Sequence, residues 1–403
     1  MATDTTTAET VAADALTDWL LTRGRDARSI EDLLSSYGRH LVACGYPVRR
    51  VGIQLWLLHP VLSALSMFWH ATRPGEVETL PRAYGTEVTP AYLNSPIAAI
   101  SERGSGPIRL RIEHRAPPWT FPVEEDFKRD GMTDYLALPL GRFDSRRNVL
   151  TYLSDKPGGF DDNQIAGLQA AVPALAVLLE RETYRRLTVN ILDTYVGRQA
   201  GARILSGDVR RGTGETIRAV IWFSDMRGFT ALSDRLPREE LIALLNNYFE
   251  LQGEAVHAAG GEILKFMGDG MLAAWPLAAG ADPGSACHAA LGAARVALNA
   301  ISSLNAERAG WGQPFMRVGT ALHYGDVMYG NIGAPTRLDF TVVGPAVNLA
   351  SRIEGLCRLL DRDLLTSRLF ADAAGSCGLA SLGSHPVRGL EERIEVMGLG
   401  PCT

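Results

Sequence analysis

The sequence predicts a mixed α/β (α+β) protein of two domains joined by a helix. Three observations carry that prediction. From residue 207 onward, buried-strand patterns alternate with amphipathic helical ones. Between residues 161 and 206, apolar residues recur at helical spacing. Before residue 161, short strand and helix signals mix without one dominant period. The length of 403 residues allows two or three domains, and 46% hydrophobic against 21% charged residues is the balance of a globular chain.

Composition also excludes some functions. A formal net charge of −5 gives no reason to expect nucleic acid or anionic membrane as a partner, although a nucleotide needs only a local patch of cations and metal. The five cysteines (Cys44, Cys287, Cys357, Cys377, Cys402) form no CxxC pair and no zinc-like spacing, which fits a reducing compartment. The start, Met1 to Asp18, is Thr/Ala-rich and acidic, unlike a secretory signal. The apolar run Ala170–Leu179 is about half of the roughly 20 residues that a membrane span needs. The expectation is a soluble, cytoplasmic protein with no membrane span and no nucleic-acid partner.

Within the first domain, 1–160, Asp26–Ala43 reads as a helix and Val48–Leu58 as a strand. Thr133–Leu140 and Val149–Leu153 read as two strands across a polar turn, after a long connection rich in Gly, Pro and charge. Trp56, Phe68, Trp69 and Trp119 could line a pocket, although aromatic residues more commonly serve as core. The linker, 161–206, places Ile165, Leu168, Val172, Leu175, Leu179, Leu187 and Ile191 on one helical stripe. Pro173 interrupts it as a candidate break between two helices. The stripe fits either the seam of a parallel two-helix dimer or a face packed on its own domain.

In the last domain, 207–403, Ile217–Phe223 is a buried strand and Glu239–Ala258 an amphipathic helix. Glu262–Met267 and Met271–Trp275 form a hairpin about a Gly-Asp-Gly turn. Ala286–Leu304 is a second helix, Met316–His323 with Val327–Ile332 a second hairpin, and Pro345–Leu360 a third helix. Strand-like residues near Val387 and at Ile394–Met397 close the chain, with the helices covering one sheet face.

Three runs carry chemistry. In Phe223–Thr230 a carboxylate, Asp225, ends a buried strand before a glycine turn, a natural cradle for phosphate and metal. Asp269 sits at a hairpin tip; alone it reads as a turn aspartate bonding its own backbone. The two lie 44 positions apart with a helix between, which suggests a pair of carboxylates sharing divalent ions. Asn348 and Arg352, four apart on a helix, suit a ribose oxygen and a phosphate, but alone read as a solvated pair.

The runs FSDMRGFT, LKFMGDGML and DFTVVGPAVNLASRIE, in this order, resemble the class III adenylate and guanylate cyclases, over roughly Thr216–Leu399. The resemblance implies a ferredoxin-like βαββαβ domain that works as a homodimer with active sites at the interface. It further implies that Asp225 and Asp269 bind two divalent ions, Mg²⁺ or Mn²⁺, with the Met226 carbonyl as a further ligand. Gly228, Phe229 and Thr230 match the turn that holds the triphosphate. Asn348 matches the ribose-orienting residue, Arg352 the residue on the α-phosphate and Lys265 the reader of the base. Arg388 and Arg337 resemble phosphate-reaching cations, and a plain surface role suits each equally. His323 reads as a strand residue rather than a general base.

Lys265 only donates hydrogen bonds, which suits N1 of adenine, where guanylate cyclases typically carry Glu. Thr341 departs from the Asp or Cys usual at the second base position and resembles a bacterial branch with bicarbonate-responsive members. The implied function is an adenylate cyclase that converts ATP to 3',5'-cyclic AMP and pyrophosphate. The alternatives are a guanylate cyclase, disfavoured by Lys265, and a silent nucleotide-binding module, disfavoured by the presence of all five central residues. The place of the N-terminal domain, ahead of a helix feeding a cyclase, resembles GAF-like sensory domains and implies a small-molecule regulator.

Overall fold

The computed structural model describes residues 15–143, 146–375, 378–389 and 391–400. The sequence up to residue 14, Cys377 and Cys402 lie outside them. The chain divides into two compact units, Met1–Ile191 and Leu192–Thr403. No described helix is long and apolar enough to cross a membrane.

The first unit is α/β. Its strands are β1 (Arg50–Trp56), β2 (Leu62–His70), β3 (Val77–Ala83), β4 (Ile108–Leu110), β5 (Asp134–Phe143) and β6 (Arg146–Ser154). They form one antiparallel sheet in the order β3-β2-β1-β6-β5-β4. Side chains alternate between two cores, as a strand period of two requires. Leu136, Leu138, Leu150 and Tyr152 face helices Ile30–Ala43 and Asp162–Tyr195, while Tyr135, Ala137, Val149 and Leu153 pack with Ile100 and Phe127 on the other side. The connection expected to be loop therefore holds β2, β3 and β4. β3 gives no strand signal because it is a mostly solvated edge carrying Pro81, a residue that edges tolerate.

The linker helix runs unbroken from Asp162 to Tyr195 with Pro173 inside it, so the expected break is absent. Pro173 and Gln169, whose carbonyl loses its helical donor, both lie on the exposed face, where water can serve that carbonyl. Burial of Leu168, Ala171, Leu175, Leu178 and Leu179 holds the helix on its own unit.

The second unit contains β7 (Gly214–Met226), β8 (Glu262–Met267), β9 (Gly270–Leu277), β10 (Val318–Ala334), β11 (Arg337–Val343), β12 (Leu364–Ser367), β13 (Leu379–His385) and β14 (Ile394–Leu399). The sheet order is β13-β14-β12-β10-β7-β9-β8, with β11 paired to β10. Helix Arg238–Ala258 joins β7 to β8, and helix Pro283–Gly310 joins β9 to β10. The four central strands β10-β7-β9-β8 with these two helices make a βαββαβ ferredoxin-like core. Val220 and Trp222 face the core beneath the two helices, whereas Ala219 and Ile221 face Ala346 and Ala350 of a third helix, Pro345–Leu359. Helices thus cover both faces, not the one expected.

The second hairpin is also absent. β10 continues through Tyr324-Gly325-Asp326 and pairs with β7 without interruption, from Val318 opposite Met226 to Gly330 opposite Gly214. Gly325 reads as a turn residue in sequence, yet it serves close packing: a Cβ there would stand 3.0 Å from that of Ala346 on the crossing helix. His323, within this strand, is buried, and its Nδ1 lies 2.7 Å from the Ser367 hydroxyl. Burial pushes its pKa down to about 4.

Ahead of β7, the short helix Arg198–Leu205 begins at Gly197. The buried carboxylate of Glu262 accepts the Gln199 and Ala200 N–H groups at 2.9 and 3.2 Å, and its other oxygen accepts the Tyr329 hydroxyl at 2.9 Å. A buried carboxylate thereby caps the helix end whose donors lack intrahelical partners.

Gly38, inside helix Ile30–Ala43, lies flat on the buried ring of Trp69, and a Cβ there would fall 2.3 Å from that ring. We expect Gly38→Ala to destabilise the first unit by about 1–3 kcal/mol, the overpacking cost outweighing the gain in helix propensity. Urea unfolding followed by tryptophan fluorescence checks it, and an unchanged midpoint would refute the contact.

Candidate functional site

Asp225 lies at the C-terminal end of β7, half-buried, opposite Gly270 of β9 and Gly319 of β10. The two glycines leave space that only hydrogen atoms could occupy. A Cβ on Gly270 would stand 3.0 Å from the Ser224 carbonyl oxygen and 3.3 Å from Asp225 Oδ1. The tight tip between β8 and β9 uses Gly268 at φ +68°, a left-handed conformation that side chains resist. Asp269 follows it and is thereby delivered beside Asp225. Burial, then the Asp269 charge and its hydrogen-bonding contact, raise the Asp225 pKa to about 6.

Two residues without a role in the sequence reading join this pair. Glu354, on helix Pro345–Leu359, turns its carboxylate toward Gly319, whose added Cβ would stand 2.4 Å from Glu354 Oε1. Its pKa rises to about 7 through burial and the charges of Asp225 and Asp269, partly offset by Arg227. Arg227 follows the strand end directly. Its guanidinium donates to the Cys357 carbonyl at 3.0 Å and to the Arg362 carbonyl, and lies 3.4 Å from Asp363. Its backbone N–H donates to the Arg317 carbonyl at 2.8 Å. Arg227 thus ties the carboxylate-bearing end of β7 to the negative end of the third helix. Both residues stand inside the quoted runs; Arg227 is adjacent to Met226, and Glu354 sits two positions past Arg352.

The other candidates take these places. Gly228 adopts φ +76° and starts the short helix Phe229–Ser233, with Thr230 exposed on it and Met226 buried just before. Lys265 sits half-buried on β8 at a register shift, with no ion pair among the described residues. Thr341 lies on β11, a strand that packs beside β8. Its buried hydroxyl has no hydrogen-bond partner among the described residues. Asn348 is exposed and Arg352 half-buried. Arg352 Nη2 lies 3.2 Å from where a Cβ on Gly389 would stand, so the turn bearing Arg388 rests against it. Arg337 is exposed at the start of β11.

Helical geometry separates two groups within one chain. At about 100° per residue, Glu354 points some 120° around the helix from Asn348 and 160° from Arg352. Because Glu354 faces the strand that carries Asp225's neighbour, Asn348 and Arg352 point away from that chain's own carboxylate pair.

Among the described residues, no three His, Cys, Asp or Glu side chains converge as a closed metal site. Two half-buried, mutually repelling carboxylates nevertheless fit a magnesium-type ion, which ordinarily takes one or two carboxylates and completes its shell with water and phosphate oxygens.

The raised Asp225 pKa means that the folded state holds this proton more tightly than the unfolded state. Its charge therefore lowers stability as pH rises through about 6. In EDTA at pH 7.5 we expect Asp225→Asn to melt above the wild type, with the gap closing by pH 4.5. Thermal unfolding at both pH values checks this, and a gap independent of pH would show that the charge is not strained.

Residues 214–360 match the family described as the adenylate and guanylate cyclase catalytic domain. The adenylate cyclase of Anabaena cylindrica is 34% identical over 198 residues, covering 47% of this chain and 38% of that protein. Adenylate cyclase 1 of Rhizobium meliloti is 34% identical over 177 residues, covering 43% of this chain and 26% of that one. The chain thus spans well under half the length of these curated relatives. A solved structure, the adenylyl cyclase CyaB from P. aeruginosa, aligns with 47% of this chain and 97% of its own at 25% identity and a TM-score of 0.41. The segment from Gly214 to Leu360 is accordingly an adenylate and guanylate cyclase catalytic domain.

Proposed function

We propose that this protein is an adenylate cyclase, forming 3',5'-cyclic AMP and pyrophosphate from ATP in a homodimer, under regulation by its N-terminal unit. The observation that carries the reading is the Asp225–Asp269 pair, held together at the strand end while Asn348 and Arg352 face away from it. One chain has both halves of a nucleotide site but does not direct them to one place; a second copy would supply the missing half. Half-exposed Phe266 and Met267 beside Lys265 support an apolar contact there. So do exposed Val177, Tyr184 and Ile191, which recur every seven residues along the linker helix.

The reaction joins the ribose 3'-oxygen to the α-phosphorus and breaks the bond from that phosphorus to the departing pyrophosphate. Asp225 and Asp269, with the Met226 carbonyl, would hold two Mg²⁺ or Mn²⁺ ions. Bound there, such ions would neutralise the triphosphate and lower the pKa of the 3'-hydroxyl. Asn348 would orient the ribose, and Arg352 would donate to the α-phosphoryl oxygens as charge builds on them. Backbone N–H groups of Gly228, Phe229 and Thr230 would hold the terminal phosphates, with Arg388 and Arg337 as further cations. Lys265 would donate to adenine N1. Thr341 would stand at the second base position, where a hydroxyl can both donate and accept. The use of ATP and the unpaired thiols of Cys44, Cys287 and Cys357 suit a cytoplasmic setting.

Turnover of ATP and GTP with Mg²⁺ or Mn²⁺, read as cyclic product, tests the reading. We expect cyclic AMP in large excess, and no product from folded dimer would refute it. Lys265→Glu should reduce the ATP/GTP preference at least tenfold, the worth of roughly one lost and one adverse hydrogen bond. An unchanged ratio would remove Lys265 from the base. Asp225→Ala and Arg352→Ala should each abolish activity, yet their mixture should recover part of it through one intact site per mixed dimer. No recovery in well-mixed dimers would refute the shared site.

A further inference from the structure

We propose that Glu354 is a positioning residue of the divalent-ion site: its carboxylate accepts hydrogen bonds from water bound to an ion that Asp225 and Asp269 hold. The inference rests on the reading of those two aspartates as the metal-holding pair, and extends it to a third acid on a different element.

The strands put Glu354 and Asp225 on one face of the sheet. Ser224 points to the opposite face, where its hydroxyl donates to Gln252 Oε1 of helix Arg238–Ala258 at 2.7 Å. Asp225, the next residue along β7, therefore points to the face that helix Pro345–Leu359 covers through Ala346 and Ala350. Gly319 of β10 lies directly opposite Asp225, and residues so paired share a face. A Cβ at position 319 would collide with Glu354 Oε1. The Glu354 carboxylate thus takes the place beside Asp225 that a glycine leaves open on the neighbouring strand.

That carboxylate makes no hydrogen bond or ion pair among the described residues. Glu262, the enclosed acid of the same unit, instead accepts from three protein donors. The cation whose charge reaches Glu354 is Arg227, already committed to the Cys357 and Arg362 carbonyls and to Asp363. Glu354 is half-buried and its oxygens are not among the enclosed polar atoms, so water reaches them. An unpaired acid beside two others is unfavourable until positive charge or donors meet it. A magnesium-type ion uses one or two carboxylates and keeps several waters. The three acids do not converge as joint ligands, which suits Glu354 to the waters rather than to the ion. By accepting from them it would fix their orientation and hold the ion against the strand end.

The experiment is titration of the full chain with Mn²⁺, without nucleotide, at pH 8, where Glu354 is ionised. Calorimetry gives the affinity, and solvent-proton relaxation gives the number of Mn²⁺-bound waters. We expect Asp225→Asn to remove the binding. Glu354→Gln should weaken it about tenfold or more, with the water count unchanged. In EDTA the same variant should melt no lower than the wild type, because it removes one of three like charges; an acid with a merely structural role would lower the melting point. Glu354→Asp keeps the charge one methylene further back and should weaken Mn²⁺ less than Glu354→Gln does. Should Glu354→Gln fail to fold, the affinity of Glu354→Asp decides. Affinity equal to wild type, or one additional bound water in Glu354→Gln, would overturn the proposal while the aspartate pair stands. Mn²⁺ binding that is absent from the wild type, or that survives Asp225→Asn, would overturn the aspartate reading and the proposal with it.

Discussion

Two carboxylates of like charge stand side by side at the end of the central strand because no side chain separates them. Gly270 and Gly319 flank Asp225 in register, and Gly268 turns the hairpin so that Asp269 arrives next to it. This arrangement is unfavourable taken alone, as the raised Asp225 pKa records. It persists because the surrounding sheet over-determines it: β7 pairs with β10 from Gly214 to Met226 and with β9 from Arg218 to Asp225. Arg227 compensates from one side by anchoring the strand end to backbone carbonyls rather than by pairing with the acids.

The helix Pro345–Leu359 gives that strain a second purpose. One of its sides packs Ala350, Ile353 and Cys357 into the sheet and places Glu354 near the acids. Another side presents Asn348 and Arg352 outward. The same rigid element therefore buttresses the carboxylate pair of its own chain and directs Asn348 and Arg352 elsewhere. Under the proposed function, a geometry that is incomplete in one chain makes association a precondition of chemistry.

Much of this was legible in the sequence where one rule dominated. The helices at 238–258, 283–310 and 345–359 and the β8–β9 hairpin follow their periodicity and turn residues within a few positions. Local signals mislead where a residue has two physical uses. Gly325 signals a turn but serves a close helix crossing, so a 17-residue strand was divided into a hairpin. Pro173 signals a break, but tertiary burial on one face and water on the other kept the helix whole. β2 is largely buried on both faces and so lacks alternation, and β3 faces mostly water. Glu354 and Arg227 could not be assigned from sequence, since their roles arise from what the sheet brings beneath them.

The capped helix ahead of β7 also bears on where the smallest autonomous piece of this chain can begin. Glu262 is almost fully enclosed, and its charge is met by two donors from the residues after Gly197 and one from Tyr329. A fragment starting later than those residues would leave the carboxylate with the tyrosine alone, a loss of order several kcal/mol for an interior ion. The fragment could recover only by admitting water to the carboxylate. The Arg198–Leu205 segment thus behaves as the counter-charge of a buried acid, inherited with the second unit rather than detachable from it.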